Sequence, residues 1–226
     1  MSGHAIPRLT TGRLLLREWQ DADREPFAAM NGDPRVVEHL PGPLDRAASD
    51  ALVDRIAARW ASDGHGLWAV ERRADARFIG FVGLAAPTFT AGFTPCVEVG
   101  WRLRPDAWGH GFATEAALAA LRFGFEELDL AEIVSFTVPA NVRSRAVMAR
   151  IGLTRDPADD FEHPNLPEGH PLRQHVLYRL GRDAWLARPR ARVASKPASP
   201  PTNAGRSDRV EGPVRRSLAR PARRRA

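Results

Sequence analysis

Across 226 residues there is one cysteine, one tyrosine and one lysine, and nowhere do 18 uncharged apolar residues run together. The lone Cys96 excludes an internal disulfide and a cysteine-built metal cluster, and it suits a reducing compartment. The missing apolar run argues against a membrane-spanning helix. The opening MSGHAIPRLTTGR also lacks the apolar stretch of a signal peptide, so a soluble, cytoplasmic chain with no membrane partner is expected. With no lysine before Lys196, a phosphate loop ending in Gly-Lys-[Ser/Thr] is excluded as well. The 32 arginines that stand against this one lysine read as a bias of composition rather than as chemistry.

What is present divides unevenly. Residues 188–226 carry 12 Lys+Arg against 2 acids, so residues 1–187 are mildly acidic although the whole chain has a net charge of +6. That C-terminal stretch is rich in Pro, Ala, Ser and Arg, with only Val193, Val210, Val214 and Leu218 as sizeable apolar residues. Burial of so little cannot offset its ordering entropy. The expected organisation is a folded domain over 1–187 and a disordered basic tail over 188–226. Such a tail is either a solvated extension or an electrostatic arm for RNA or another polyanion, and no aromatic residue interleaves with its arginines.

Within the domain the hydrophobic pattern alternates between periods. RLLLREW (13–19) reads as a strand, and Asp23 starts a short helix to about Met30. Leu52, Val53, Ile56 and Trp60 mark an amphipathic helix from about Asp45 to Ser62. LWAVER (67–72) and RFIGFVGL (77–84) form a hairpin across the turn RADA. CVEVGWRL (96–103) places Val97, Val99, Trp101 and Leu103 on one face and Glu98, Gly100 and Arg102 on the other. A glycine loop follows, then a helix to about Leu128, a strand 132–138, a short helix 142–151 and a last strand 175–180. The order β-α-α-β-β-β-α-β-α-β belongs to the α/β class.

The glycine loop is the segment with chemical content. In RPDAWGHGFATEA a strand ends at a proline turn, passes Gly109-His110-Gly111 and enters a helix. Glycines let the backbone approach a ligand and turn successive N–H groups inward, and the helix start adds partial positive charge, so an anion such as a pyrophosphate is the natural guest. The dinucleotide fingerprint fits poorly, because Thr114 occupies its third small position and Asp129 precedes the next strand. By spacing alone the loop is either a ligand cradle or a tight turn.

Two motifs together, WRLRPDAWGHGFATEA and TVPANVRSRAVMARIGL, resemble the GCN5-related N-acetyltransferase (GNAT) superfamily, most closely its ribosomal-protein N-acetyltransferase-like branch. The family pattern has Gln or Arg, two residues, then Gly-x-[Gly/Ala]; its second element is Asn-x-x-Ser followed by a basic residue before Gly-[Phe/Leu]. The chain departs from it at Trp108. The resemblance implies a central mixed, mostly antiparallel sheet, splayed at its middle strands and flanked by helices on both faces. It also implies acetyl-CoA as co-substrate; no metal is expected, and the chain is expected to be a monomer or homodimer. The pyrophosphate would lie on the N–H groups of Trp108, Gly109, His110, Gly111, Phe112, Ala113 and Thr114. The pantetheine arm would run along Arg102, Leu103 and Arg104, with Asn141 and Ser144 completing the cofactor side. Asn141 serves equally as a helix cap.

Acetyl transfer to an amine requires a neutral amine, a donor for the developing oxyanion and an acid for the thiolate. An α-amine, with a pKa of about 8, loses its proton more readily than a lysine ε-amine at about 10.4. By the resemblance Glu98 is the base, acting through a water, where burial would raise its pKa. As an ordinary strand residue it would instead face solvent or pair with an arginine. Ser144 and Tyr178 compete as proton donor, with solvent a third possibility; Tyr178 reads otherwise as a core ring with a satisfied hydroxyl. Cys96 is expected to be inert, and the irregular spacing of His163, His170 and His175 fits no metal site. The His163–Pro171 loop, with Glu168 or His170, is a candidate acceptor contact. The acceptor is expected to be an amine, either a protein N-terminus or a small molecule. The alternative function is a non-catalytic acyl-CoA-binding module or an RNA-associated adaptor that uses the tail.

Overall fold

The computed structural model describes residues 6–188. The basic tail predicted from composition therefore lies outside the described residues, except for Arg188, whose Nη1 donates to the Ile151 carbonyl at 2.6 Å.

The strands are β1 (Leu9–Thr10), β2 (Leu14–Arg17), β3 (Leu67–Arg72), β4 (Arg77–Ala85), β5 (Glu98–Leu103), β6 (Glu132–Thr137), β7 (Thr154–Arg155), β8 (Phe161–Glu162) and β9 (Gln174–Gly181). The helices are α1 (Asp21–Asn31), α2 (Pro34–Val37), α3 (Arg46–Asp63), α4 (Phe112–Arg122), α5 (Val142–Arg150) and α6 (Arg182–Leu186). The sheet runs β1-β2-β3-β4-β5-β6-β9-β7, with β8 alongside β9. Every pairing is antiparallel except β5 with β6, which is parallel and holds at a single register pair, Glu98↔Val134. Beyond that pair the two strands diverge, and the edge of β5 is left facing a cleft.

Alternation in each strand sends side chains to two cores. Trp68, Val82, Val99 and Leu103 pack with Ala116, Ala117, Ala120 and Leu121 of α4, where the small alanines let the helix lie close to the sheet. On the opposite face Ala69, Phe78 and Phe81 meet Phe27 and Met30 of α1 and Val53 of α3. Trp19 closes this second core, its ring centroid 4.8 Å from that of Phe27. Glu98, Gly100 and Arg102 therefore stand on the α1 and α3 side of β5, as the alternation predicts.

Local chemistry sets the element ends. Gln20 and Asp23 form a reciprocal capping box at the start of α1, one turn earlier than the sequence reading placed it. Asp45 caps α3 through the Ala48 amide, and Gly64 ends it in the left-handed region at φ 69°. The α4 pattern continues to Glu127, but its last turn, Phe123–Glu127, widens to a π-turn. At Gly80, φ is +134°, and a Cβ there would run into the Arg102 carbonyl of β5. A side chain at this position would pry β4 from the strand that carries Glu98.

Candidate active site

The divergence of β5 from β6 opens a cleft of about 1510 Å³, bounded by the glycine loop and the first turn of α4 on one side and by α5 on the other. The loop backbone is organised for an anion. Gly109 and Gly111 take φ of +78° and +77°, and a Cβ at Gly109 would project into open space, so glycine serves the backbone conformation and close approach of a guest. The N–H groups of Gly109, His110, Gly111, Phe112, Ala113 and Thr114 donate to no acceptor among the described residues. Six unspent donors at the start of an 11-residue helix make an anion cradle. The Trp108 amide is not part of it, contrary to the sequence reading, because it donates to the Pro105 carbonyl at 3.2 Å.

Trp108 has a different task. Its indole Nε1 donates to the Leu103 carbonyl at 2.8 Å, and the Arg143 guanidinium lies 4.6 Å from the centre of its ring. The ring thus ties the end of β5 to the first turn of α5 across the floor of the cleft. Arg104 is turned away: its amide donates to the Ile79 carbonyl and its guanidinium pairs with Asp106. The strand edge left for a pantetheine amide is Gly100 to Arg102, since the indole covers the carbonyl of Leu103.

A clamp from the N-terminal hairpin steadies the loop. Glu115, in the first turn of α4, accepts from the Thr11 hydroxyl, the Arg13 amide and Arg13 Nε at 2.6, 2.8 and 2.6 Å. Arg13 Nη1 donates to the His110 carbonyl at 2.9 Å, and its guanidinium lies over the Phe112 ring. These donors hold the Glu115 carboxyl below the usual carboxylate range, even though burial opposes its ionisation. A carboxylate that would repel an anion is thereby neutralised, and Arg13, Arg143 and Arg150 line the same cleft. Sequence reasoning missed Arg13, which meets the loop and the start of α4 only through contacts across 97 to 102 positions.

On α5, Asn141 is a cap. Its Oδ1 accepts from the Ser144 amide at 3.1 Å and its Nδ2 donates to the Thr137 hydroxyl at 3.0 Å, so β6 and α5 are joined at the cleft wall. The Ser144 hydroxyl, also on the cleft, has no hydrogen-bond partner among the described residues. Tyr178 is not brought to the cleft lining. It sits on β9, with its hydroxyl 3.5 Å from Arg145 Nε. Glu168 and His170 are likewise absent from the lining. Cys96 keeps its thiol, because burial pushes its pKa to about 11. His163 and His175 stand 5.1 Å apart within a cluster with Phe89, Phe93, Phe136 and Phe161, and desolvation holds both imidazoles below their ordinary pKa.

Glu98 occupies the point where β5 and β6 part. It is half-buried, opens on the cleft, and its pKa is pushed up to about 8 by desolvation alone. Neither alternative role, full exposure or an arginine partner, is realised among the described residues. A carboxyl poised near neutrality beside a strand edge and an anion cradle can take a proton from a nucleophile brought against a phosphorylated carrier.

Comparison with known proteins agrees with this geometry. A curated relative, FsC-acetyl coenzyme A-N(2)-transacetylase of Aspergillus fumigatus, is 32% identical over 82% of this chain and 81% of its own. An acetyltransferase structure from Agrobacterium tumefaciens superposes with a TM-score of 0.64 at 32% identity, covering 78% of this chain and 95% of that one. A ribosomal-protein-S5-alanine acetyltransferase from Vibrio fischeri, at 16% identity and a TM-score of 0.63, shares the fold over 79% of this chain and 98% of its own. The family model described as an acetyltransferase (GNAT) domain matches residues 13–154, from the arginine of the clamp through α5 to β7, and so takes in both walls of the cleft. The chain belongs to the GNAT acetyltransferase family, whose members draw the acetyl group from acetyl-CoA.

Proposed function

We propose that the cleft transfers an acetyl group from acetyl-CoA to a primary amine, with a protein N-terminal α-amine as the leading acceptor and a small amine as the next. The observation that carries this reading is Glu98, a carboxyl with a pKa near 8 at the parting of β5 and β6. The six free N–H groups at the start of α4 hold the pyrophosphate, and the Gly100–Arg102 edge receives the pantetheine amides in place of a sheet neighbour. When bound, acetyl-CoA supplies an activated thioester carbonyl. Glu98, through a water, accepts the proton that the amine gives up as its nitrogen bonds to that carbonyl carbon. The Ser144 hydroxyl, unpartnered on the opposite wall, donates a hydrogen bond to the sulfur and relays a proton from solvent to it as the C–S bond breaks, ending as the hydroxyl it began as.

The acceptor reading rests on proton affinity. An α-amine with a pKa of about 8 matches a base of the same strength, whereas a lysine amine at about 10.4 would leave an uphill transfer of roughly 3 kcal/mol. The test follows thiol release with acetyl-CoA and a panel of free α-amine peptides, lysine peptides and small amines, alongside calorimetric titration of coenzyme A. Turnover highest with α-amines is the expected result. A protein that fails to bind coenzyme A would refute the cradle, and one that binds it but prefers lysine peptides would refute the acceptor assignment.

A further inference from the structure

Arg102 presents a half-buried positive charge that the reaction does not require. It lies on the same face of β5 as Glu98, four positions along, and its guanidinium lines the cleft on the side of α1 and α2 rather than at the anion cradle. Among the described residues it has no carboxylate partner. Its Nη1 donates to Asn31 Oδ1 at 2.7 Å, and its guanidinium lies 5.4 Å from the centre of the Phe81 ring. Asn31 is fully buried and is fixed in turn by donating to the Ser49 hydroxyl at 2.8 Å, so α1 and α3 together hold the guanidinium in place. Desolvation lowers its pKa to about 10, with no anion beside it to oppose the shift. The other arginine at this end, Arg35, is spent on Asp33 through contacts of 3.0 and 2.6 Å.

An arginine has five N–H donors, and this one uses a single donor on a neutral acceptor. Its remaining donors open on the cleft, where a ligand can take them up, and a planar fork matches a carboxylate. We infer that Arg102 recognises a carboxylate on the acceptor, so that the preferred amine carries an acidic group a few bonds from its nitrogen. The inference rests on the reading of Glu98 as the place of the amine. Strand geometry sets the separation: the Cα atoms of Glu98 and Arg102 are about 13 Å apart at about 3.3 Å per residue. Allowing for both side chains, for a hydrogen bond of about 2.9 Å at the Arg102 end and for one such bond or a bridging water at the Glu98 end, the amine and the carboxylate lie roughly 4–8 Å apart. That span is about three to six bonds, too long for the carboxylate of an α-amino acid. It suits an ω-amino acid, or an N-terminal amine followed by an acidic second residue.

The experiment measures binding and turnover separately, on the full chain saturated with coenzyme A or acetyl-CoA. Ligands are glycine, 5-aminopentanoate and the dipeptide Gly-Asp amide, each against its neutral carboxamide counterpart. The expected result is at least tenfold tighter calorimetric binding of 5-aminopentanoate and Gly-Asp amide than of their neutral partners, and no such gain for glycine. Arg102→Gln should abolish the preference, and Arg102→Lys should keep part of it. Equal binding of acid and amide by the unaltered protein, an optimum at glycine, or a preference that survives Arg102→Gln would overturn the inference. Acid-selective binding without acetylation would uphold Arg102 and sink the catalytic reading of Glu98, which keeps the two failures distinguishable.

Discussion

A carboxyl group carried on the inner face of a strand loses hydration without gaining a cation, and for Glu98 this means protonation over most of the neutral range, with a pKa of about 8. Two consequences separate cleanly. Catalysis needs the ionised form, so for an acceptor amine that is already neutral in the assay range kcat/KM should rise roughly tenfold per pH unit up to about pH 8 and then level. Glu98→Gln should lower the rate by about 10²–10⁴ and remove that limb. Acceptors of different amine pKa distinguish the limb of the enzyme from that of the substrate, since only the latter moves with the amine. Stability runs the other way. Unfolded, the carboxyl ionises near 4.5, so between 4.5 and about 8 the folded state holds a proton that the unfolded state has released, and stability falls as pH rises through that window. Glu98→Gln should therefore be more stable than the parent above pH 8, by about 1–3 kcal/mol in urea titrations, and equal to it at pH 4. A variant that gains nothing at high pH would show that the carboxyl is better solvated than its position implies.

Elements that bury a periodic face announce themselves in sequence, and elements defined by contact do not. The hairpin of β3 and β4, the faces of β5 and the long helix α3 follow from alternation and from i, i+4 spacing, because each repeats its pattern over several residues. The four-residue α2 and the two-residue β1, β7 and β8 are too short to carry a period. At the site, the glycines and the Asn-x-x-Ser element were readable as local motifs, whereas the Arg13–Glu115 clamp and the Arg102–Asn31 contact join positions 102 and 71 apart and leave no local trace. Asn141 shows how a motif can be structural and still serve the site. It caps α5 and ties it to Thr137, so Asn141→Ala should cost about 1 kcal/mol of stability and, by loosening the turn that carries Ser144, weaken acetyl-CoA binding several-fold. Asn141→Ser, which restores a capping oxygen, should recover most of both in thermal melts and calorimetry. Stability recovered without affinity would assign Asn141 a direct contact with the co-substrate.

Residues 1–187 hold 21 Lys+Arg against 25 acids and residues 188–226 hold 12 against 2, and charge arithmetic separates what each stretch contributes. Both walls of the cleft, its clamp and its two cores lie within residues 6–188, and the GNAT match begins and ends inside that range. Removing residues 189–226 takes away 11 of the 33 Lys+Arg and 2 of the 27 acids, which converts a chain of net charge +6 into one of −3. None of the deleted residues belongs to the cradle, to Glu98 or to Ser144, so kcat/KM for small-amine acetylation should stay within about twofold of the full chain. A polyanion such as single-stranded RNA should lose affinity on the same deletion. For the full chain its log affinity should fall linearly with log salt, with a slope set by the number of phosphates neutralised, about −0.7 per contact on a single strand. An arm that engages four phosphates would show a slope near −3 that vanishes on truncation. If deletion instead abolishes acetyl transfer while coenzyme A still binds, the basic stretch takes part in presenting the acceptor, and the division of labour drawn at residue 188 is wrong.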